Sequence, residues 1–215
     1  MLVSGKAGFV MQAILSLGMG YLIGCISPAA WIGKKKNVNL KETGTKNLGA
    51  TNTTLVLGRA AGVFVLFFDI LKAFFAARLA RRLFPHLVIA GMIAAFGTIL
   101  GHCFPAFMHF QGGKGLAAFG GMILAYDFWF FLGIVITGIV LMTVLNTGVA
   151  APIMGCIVFP ILVGLKSHSF PDTFMAFLAS ALIFAMHWTN LLKAIRHNDV
   201  ISTKNFYKDI LFKKK

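Results

Sequence analysis

The chain has 215 residues, of which 58% are hydrophobic, and its 20 Lys and Arg outnumber its 6 Asp and Glu to give a formal charge of +14. Soluble domains are about 45–50% apolar, so this composition excludes a water-soluble protein and predicts an all-α integral membrane protein. The basic residues are scattered around apolar runs instead of covering one face, which argues against nucleic acid as a partner and favours anionic lipid headgroups or a phosphorylated substrate.

Seven apolar segments approach the length of about 20 residues that a membrane span needs. Their predicted bounds are 8–33, 56–84, 87–107, 115–126, 128–145, 150–165 and 173–192, followed by a basic tail over 193–215. The first segment has no A-x-A cleavage site, so we expect a retained helix and not a signal peptide. The stretch 117–145 fits either one tilted span or two helices broken near Asp127. If 117–145 forms two helices, Lys114 and Asn190 lie on the same side of the membrane.

The distribution of Lys and Arg predicts the orientation, because cytoplasmic loops carry the excess of basic residues. With seven spans, most basic residues lie on the side of the C-terminus. We therefore expect one polytopic domain over 1–215, with the N-terminus outside and the C-terminus in the cytoplasm. The cluster Arg78, Arg81 and Arg82, on the opposite side, departs from this distribution.

Small residues recur inside the apolar segments at a spacing that lets helix backbones approach closely. They are Gly20 with Gly24 and Gly97 with Gly101. The three cysteines lie in or beside apolar runs without the spacing of metal ligands, so we expect buried apolar side chains and no metal site.

The first polar segment is 41–54, KETGTKNLGATNTT. Glycine permits the positive-φ turns that direct backbone N–H groups at an anion, and short hydroxyl or amide side chains add donors. An ordinary solvated loop is the alternative. The candidate substrate-binding residues in this segment are Thr45, Lys46, Asn47, Gly49, Ala50, Thr51 and Asn52.

The second polar segment is 101–119, GHCFPAFMHFQGGKGLAAF. It is not a nucleotide-binding P-loop, because Met108 and Leu116 occupy the positions of its first glycine and its Ser/Thr. A Gly-Gly-Lys turn instead opens a helix at Gly115, where the helix dipole favours an anion and Lys114 adds a full charge. A flexible turn with an extended lysine is the alternative. The other candidate substrate-binding residues here are His102, Gly112 and Gly113.

The third polar segment is 186–199, MHWTNLLKAIRHND. His187, Asn190 and Lys193 recur at i, i+3 and i+6, which places them roughly on one helix face. Ionisable groups at membrane depth are functional candidates, although a lone histidine there is often a satisfied interior group. Asp69 and Lys72, one turn apart in the second segment, are expected to form a structural ion pair.

Together these segments resemble the bacterial acyl-phosphate-dependent glycerol-3-phosphate acyltransferases, integral membrane enzymes that begin phospholipid synthesis. The resemblance rests on GCISPAAWIGK at 24–34, GTKNLGATN at 44–52, DILKA at 69–73, GHCFPAFMHFQGGKGLA at 101–117 and the pair His187 and Asn190. It implies an enzyme of the bacterial inner membrane that transfers a fatty acyl group from acyl phosphate to the 1-hydroxyl of glycerol 3-phosphate, giving lysophosphatidic acid. It implies no cofactor, and a monomer is the simplest expectation.

The resemblance also implies roles for individual residues. The Gly-rich loops hold the donor phosphate, and a lysine at the position of Lys114 helps to bind glycerol 3-phosphate. Lys114, His187 and Asn190 are the predicted catalytic residues. Two phosphates repel each other, so further cations are expected, and the candidates from the charge pattern are Lys46, Lys193 and Arg59. No side chain is an obvious nucleophile or base, so a direct transfer is implied, in which the donor's own phosphate assists the proton.

The chain departs from the family pattern at several positions. Thr45 and Lys46 stand where the family has Ser-Gly, Leu55 and Trp188 replace arginines, and Lys193 replaces a further arginine. Lysine does not reproduce the forked phosphate contact of arginine. Either Lys46 or Arg59 is expected to supply the missing charge. Lys46 lies within the phosphate loop and is favoured beside the donor phosphate, whereas Arg59, about one turn beyond Leu55, is expected to project from the same helix face and pair with the acceptor. Two alternatives stay open: a paralogue that uses another acceptor, and a non-catalytic membrane anion-binding protein or transporter.

Overall fold

A computed structural model describes residues 5–196. Nine α-helices form this part of the chain, and it contains no strand. They are α1 (Lys6–Gly24), α2 (Pro28–Lys35), α3 (Ala50–Leu57), α4 (Arg59–Leu83), α5 (Ala90–Cys103), α6 (Leu116–Tyr126), α7 (Phe128–Val144), α8 (Ala150–Ser167) and α9 (Phe170–Ile195), with a 3-10 turn over Ala106–Met108. The all-α prediction is confirmed, and the basic tail beyond residue 196 lies outside the described residues.

Within residues 5–196, five helical segments are long and apolar enough to cross a membrane. They are Lys6–Lys35, which combines α1 and α2, Arg59–Leu83, Ala90–Met108, Ala150–Ser167 and Phe170–Ile195. All seven predicted segments contain a helix, but α6 and α7 have only 11 and 17 residues. The count of seven spans and the orientation of the termini therefore stay predictions.

The break that separates α6 from α7 lies at Asp127, as predicted. Its backbone is extended, and its side chain accepts a hydrogen bond of 2.8 Å from the backbone N–H of Phe130, which caps α7. Lys166, near the end of α8, pairs with the same carboxylate and lies 5.3 Å from the centroid of the Phe130 ring. The hydrogen bond from Lys166 is the main reason that the pKa of Asp127 lies below its usual value.

The four predicted packing glycines join α1 to α5. A Cβ on any of them would collide with backbone atoms of the other helix; the pairs are Gly20 with Ala94, Gly24 with Thr98, Gly97 with Leu17 and Gly101 with Tyr21. Residue numbers rise together along these pairs, so α1 and α5 run parallel. The helices touch because glycine leaves room for the backbone, which confirms the prediction.

The core between the helices combines small residues of α4 with larger apolar side chains of α6 and α8. Ala73, Ala77 and Ala80 are almost fully buried, and the rings of Phe119 and Phe159 meet edge to face at 5.5 Å. The three cysteines are buried, as expected. Many large apolar side chains on the outside of α1, α4 and α7 are more than half exposed, as a surface in contact with lipid requires.

The start of α4 differs from the prediction. Segment 56–84 was expected to be one helix, but Gly58 has φ 93° and separates α3 from α4. Gly62 lies directly against Thr54, so α3 folds back on the start of α4. Leu55 and Arg59 therefore do not lie on one continuous helix, and the prediction that they share a helix face is wrong.

Candidate active site

The loop before α3 is organised around the side chain of Asn52. Asn52 is fully buried, and its Oδ1 accepts a hydrogen bond of 2.6 Å from the backbone N–H of Thr45. Its Nδ2 donates to the carbonyl oxygens of Leu40, at 2.8 Å, and Thr43, at 3.1 Å. Because its amide is fully engaged with the loop backbone, Asn52 shapes this segment, and its contact with a substrate stays a prediction.

The same loop leads directly into the N-terminus of α3. Gly44 has φ 61°, and a Cβ there would collide with the Asn52 side chain, so only glycine fits. The N-cap of α3 is Gly49, which offers no side chain to the first N–H groups of the helix. Such N–H groups together with the helix dipole favour an anion. Ala50 and Thr51 supply two of these N–H groups.

The Gly-Gly-Lys turn folds back onto the end of α5. The N–H groups of Gly112 and Gly113 donate to the carbonyl oxygens of Cys103 and His102, both at 3.0 Å. A Cβ on Gly112 would collide with the carbonyl oxygen of His102. One on Gly113 would collide with the His102 ring and with the carbonyl oxygen of Leu48. The two glycines are therefore needed because this turn touches both α5 and the loop before α3.

Lys114 connects this turn to the end of α9. Its Nζ donates a hydrogen bond of 2.7 Å to Oδ1 of Asn190. Lys114 is half-buried, and burial, with a further contribution from the nearby charge of Lys193, lowers the pKa of Lys114. A cation in this setting favours an anionic ligand, because the ligand would restore part of the solvation and charge balance that burial removes.

His187 lies one turn before Asn190 and is 6% exposed. Its Nδ1 lies 2.9 Å from the carbonyl oxygen of Ile183. A carbonyl oxygen can only accept, so Nδ1 carries the proton and Nε2 of the neutral ring keeps a lone pair. The charge of Lys114 also acts on this ring.

A buried charged cluster lies beneath the turn. Nζ of Lys72 lies 2.7 Å from Oδ1 of Asp69 and 3.1 Å from Nδ1 of His102. The same ammonium donates to the carbonyl oxygens of Gly24, at 3.1 Å, and Ile26, at 2.8 Å, which caps the end of α1. The expected ion pair is thus present. Sequence reasoning missed its contact with His102, because no local pattern links residues 30 positions apart.

The structure brings some of the predicted site residues into contact with one another and leaves others on the surface. Contacts bring together the loop before α3, the Gly-Gly-Lys turn and the end of α9. Lys46 and Arg59 are exposed, and among residues 5–196 their side chains form no hydrogen bond or ion pair. Asn47 lies with its amide over Gly49, and Lys193 is exposed but near Lys114. The substrate contacts assigned to all these residues stay predictions.

Trp188 stands on the outside of α9, 46% exposed. Its ring lies 5.6 Å from that of Phe184. Leu55 is half-buried in α3. These two positions, which the resemblance gives to arginine, therefore supply no cation to the site.

Comparison with known proteins agrees with this arrangement. The family model described as glycerol-3-phosphate acyltransferase matches residues 14–197. The glycerol-3-phosphate acyltransferase of Lactiplantibacillus plantarum is 34% identical, over 85% of this chain and 88% of the relative. That of Coxiella burnetii is 33% identical, over 84% of this chain and 93% of the relative.

A solved structure with the same fold is the crystal structure of PlsY (YgiH), an integral membrane glycerol 3-phosphate acyltransferase, in its glycerol 3-phosphate form. It superposes with a TM-score of 0.81 at 29% identity, over 87% of this chain and 94% of the other. A lysophosphatidic acid form of the same enzyme gives a TM-score of 0.80. The match of the family model over most of the sequence shows that this chain belongs to the glycerol-3-phosphate acyltransferase family.

Proposed function

We propose that this protein transfers a fatty acyl group from acyl phosphate to the 1-hydroxyl of glycerol 3-phosphate, giving lysophosphatidic acid. The observation that carries the proposal is the hydrogen bond between Lys114 and Asn190, which joins a Gly-Gly-Lys turn to the end of α9. Similarity to enzymes solved with glycerol 3-phosphate and with lysophosphatidic acid supports the same reaction.

Two anions have to be held close together for this reaction, and they repel each other. The backbone N–H groups at the start of α3 are suited to one phosphate, because they lie beside the Gly-rich loop. Lys114 is suited to the other, with Lys193 adding positive charge nearby. This arrangement positions and neutralises two anions without forming a covalent bond to either.

The chemical step follows from that arrangement. The 1-hydroxyl oxygen attacks the acyl carbonyl carbon, the bond from that carbon to the phosphate oxygen breaks, and inorganic phosphate leaves with the hydroxyl proton. Nε2 of His187 keeps a lone pair and can accept a hydrogen bond from the acceptor's hydroxyl, which orients it for attack. Asn190 holds Lys114 in place. Positioning and charge stabilisation then supply the rate enhancement.

We place the protein in the bacterial inner membrane as one polytopic domain over 1–215, monomeric and without a cofactor. α6 and α7 complete the seven spans, and the site lies at the cytoplasmic end, with the N-terminus outside. The excess of basic residues at that end supports this orientation. The site then faces the compartment that supplies a water-soluble phosphorylated acceptor.

A transfer assay with purified protein tests the function. Palmitoyl phosphate and labelled glycerol 3-phosphate are supplied, with palmitoyl-CoA as the alternative donor and glycerol as an acceptor without phosphate. We expect labelled lysophosphatidic acid and an equal amount of inorganic phosphate only with palmitoyl phosphate and glycerol 3-phosphate. Phosphate release without acyl transfer to glycerol 3-phosphate would indicate another acceptor.

A further inference from the structure

A basic cleft extends from Lys72, in the cluster beneath the Gly-Gly-Lys turn, to the arginines at the far end of α4. It is open, has a volume of about 720 Å³ and runs along α4 beside Ile23 at the end of α1. Arg81 packs over Gly91 at the start of α5, and the charge of Asp172 at the start of α9 acts on it. The Gly-Gly-Lys turn and Asn190 lie at the other ends of α5 and α9, so the arginine end of the cleft lies away from them, while its other end at Lys72 adjoins the cluster beneath the turn.

Three arginines give the cleft its charge. Arg78 and Arg82 are exposed, and Arg81 is half-buried. No carboxylate lies within ion-pair distance of any of them in the described part of the chain, 5–196. Partly burying a guanidinium without an ion pair is unfavourable, and the nearby charge of Arg78 adds to the cost at Arg81. An anion bound between them would remove both penalties.

The same cleft has an apolar wall. Phe75 and Leu79, one helical turn apart on α4, are 59% and 42% exposed and belong to the apolar surface that faces outward. Arg81 and Arg82 lie beyond them toward the end of the helix, and Arg78 lies between Phe75 and Leu79 in the sequence. A ligand in the cleft therefore meets Arg81 and Arg82 at the helix end, the apolar side chains of Phe75 and Leu79 beside Arg78, and Lys72 at the inner end.

We propose that this cleft binds an anionic phospholipid. The forked guanidinium groups match the oxygens of a phosphodiester headgroup, and an acyl chain extends along Phe75, Leu79 and Ile23. The apolar wall favours a lipid over a free phosphate ion, which has nothing to place there. This proposal also accounts for three arginines on the side where basic residues are otherwise few.

Native mass spectrometry of the detergent-solubilised full chain tests this proposal. The protein is mixed with equal amounts of phosphatidylglycerol and phosphatidylcholine, and the variant carries Arg78→Gln, Arg81→Gln and Arg82→Gln. Each arginine near an anionic headgroup contributes a factor of about five, so the preference for phosphatidylglycerol should fall by on the order of a hundredfold. The matched control replaces three exposed lysines at the other end of the bundle, Lys34→Gln, Lys35→Gln and Lys36→Gln, and should keep the preference.

Three further measurements keep the result interpretable. A charge-preserving variant with Arg78→Lys, Arg81→Lys and Arg82→Lys should retain part of the preference, more than the glutamine variant, because lysine keeps the charge but not the forked contact, and this separates charge from loss of folding. An unchanged preference in the glutamine variant would overturn the proposal, as would equal losses in the two glutamine variants. Displacement of the lipid by millimolar inorganic phosphate would assign the cleft to a soluble anion. Acyl transfer is measured in parallel and should not change, so failure here leaves the proposed function untouched.

Discussion

The ammonium of Lys72 lies 3.1 Å from Nδ1 of His102 and 2.8 Å from the carbonyl oxygen of Ile26. One buried cation therefore joins the end of α1 to the residue on which the Gly-Gly-Lys turn rests. The turn is held from beneath by this cluster and from the side by the loop before α3. Its position thus depends on a buried cluster that lies beneath it, and the substrate contact of His102 stays a prediction.

Replacing Lys72 should weaken the fold more than its single ion pair suggests. Lys72→Met leaves the buried Asp69 carboxylate without its cation and the carbonyl oxygens at the end of α1 without a donor. Breaking a buried pair in this way costs about 3–5 kcal/mol. Thermal unfolding in detergent should show a clear loss of stability, whereas Lys35→Met, an exposed lysine, should leave it unchanged. An equally stable Lys72→Met protein would contradict the structural role of the cluster.

Gly113→Ala should disturb the site without removing any functional side chain. Its Cβ would collide with the carbonyl oxygen of Leu48 and with the His102 ring, so the turn has to move away from the loop before α3. A displacement of about 1 Å at a site of this kind costs on the order of a hundredfold in rate. Gly133→Ala is the matched control, since nothing lies within 4 Å of its Cβ. Similar kcat/KM values for the two variants would count against this contact.

The pH dependence of acceptor binding should depend on Lys114. Burial and the charge of Lys193 lower the pKa of Lys114, so the free enzyme loses this cation at a pH below the usual value for lysine. Only the charged form attracts phosphate, and kcat/KM for glycerol 3-phosphate should therefore fall on the alkaline side. Lys193→Gln removes the like charge, which raises the pKa of Lys114 and should shift this fall to higher pH. An unshifted or downward-shifted profile would contradict the coupling.

The orientation of the bundle can be measured by labelling single cysteines in a background without the three native ones. Cysteines at Gln111 and Lys193 should react with a membrane-impermeant maleimide from the cytoplasmic side. One at Val88, which is 82% exposed between α4 and α5, should react from the opposite side. Labelling of Gln111 and Lys193 from different sides would contradict the shared site.

Much of the fold was predictable because apolar segments, small packing residues and helix caps can be recognised in short stretches of sequence. Asp127 interrupts an apolar run and then caps α7, so the break between α6 and α7 could be located. Gly58 gave no comparable signal, because a glycine inside an apolar run is tolerated in many membrane helices. The separation of α3 from α4, and with it the different placement of Leu55 and Arg59, emerged only from the structure.

The candidate site was predictable to a similar extent. Lys114 and Asn190 stood out because polar residues at the ends of apolar helices are few. The environment of His102 was not predictable, because it depends on the parallel packing of α1 with α5, and a sequence pattern does not specify which helices are neighbours. The hydrogen bonds of Asn52 to the loop backbone were likewise not predictable, and its substrate contact stays a prediction.

The most direct test of the proposed reaction is the turnover of Lys114→Met with palmitoyl phosphate and glycerol 3-phosphate. Lys114 lies in a turn and makes one side-chain hydrogen bond, so the variant should fold and unfold like the wild-type protein. Loss of a cation that stabilises the transition state should remove about 2–4 kcal/mol, and kcat/KM should fall by a factor on the order of 30 to 1,000. Lys36→Met, at an exposed position outside the site, should retain full activity. Wild-type turnover by a folded Lys114→Met protein would contradict a site built around this lysine.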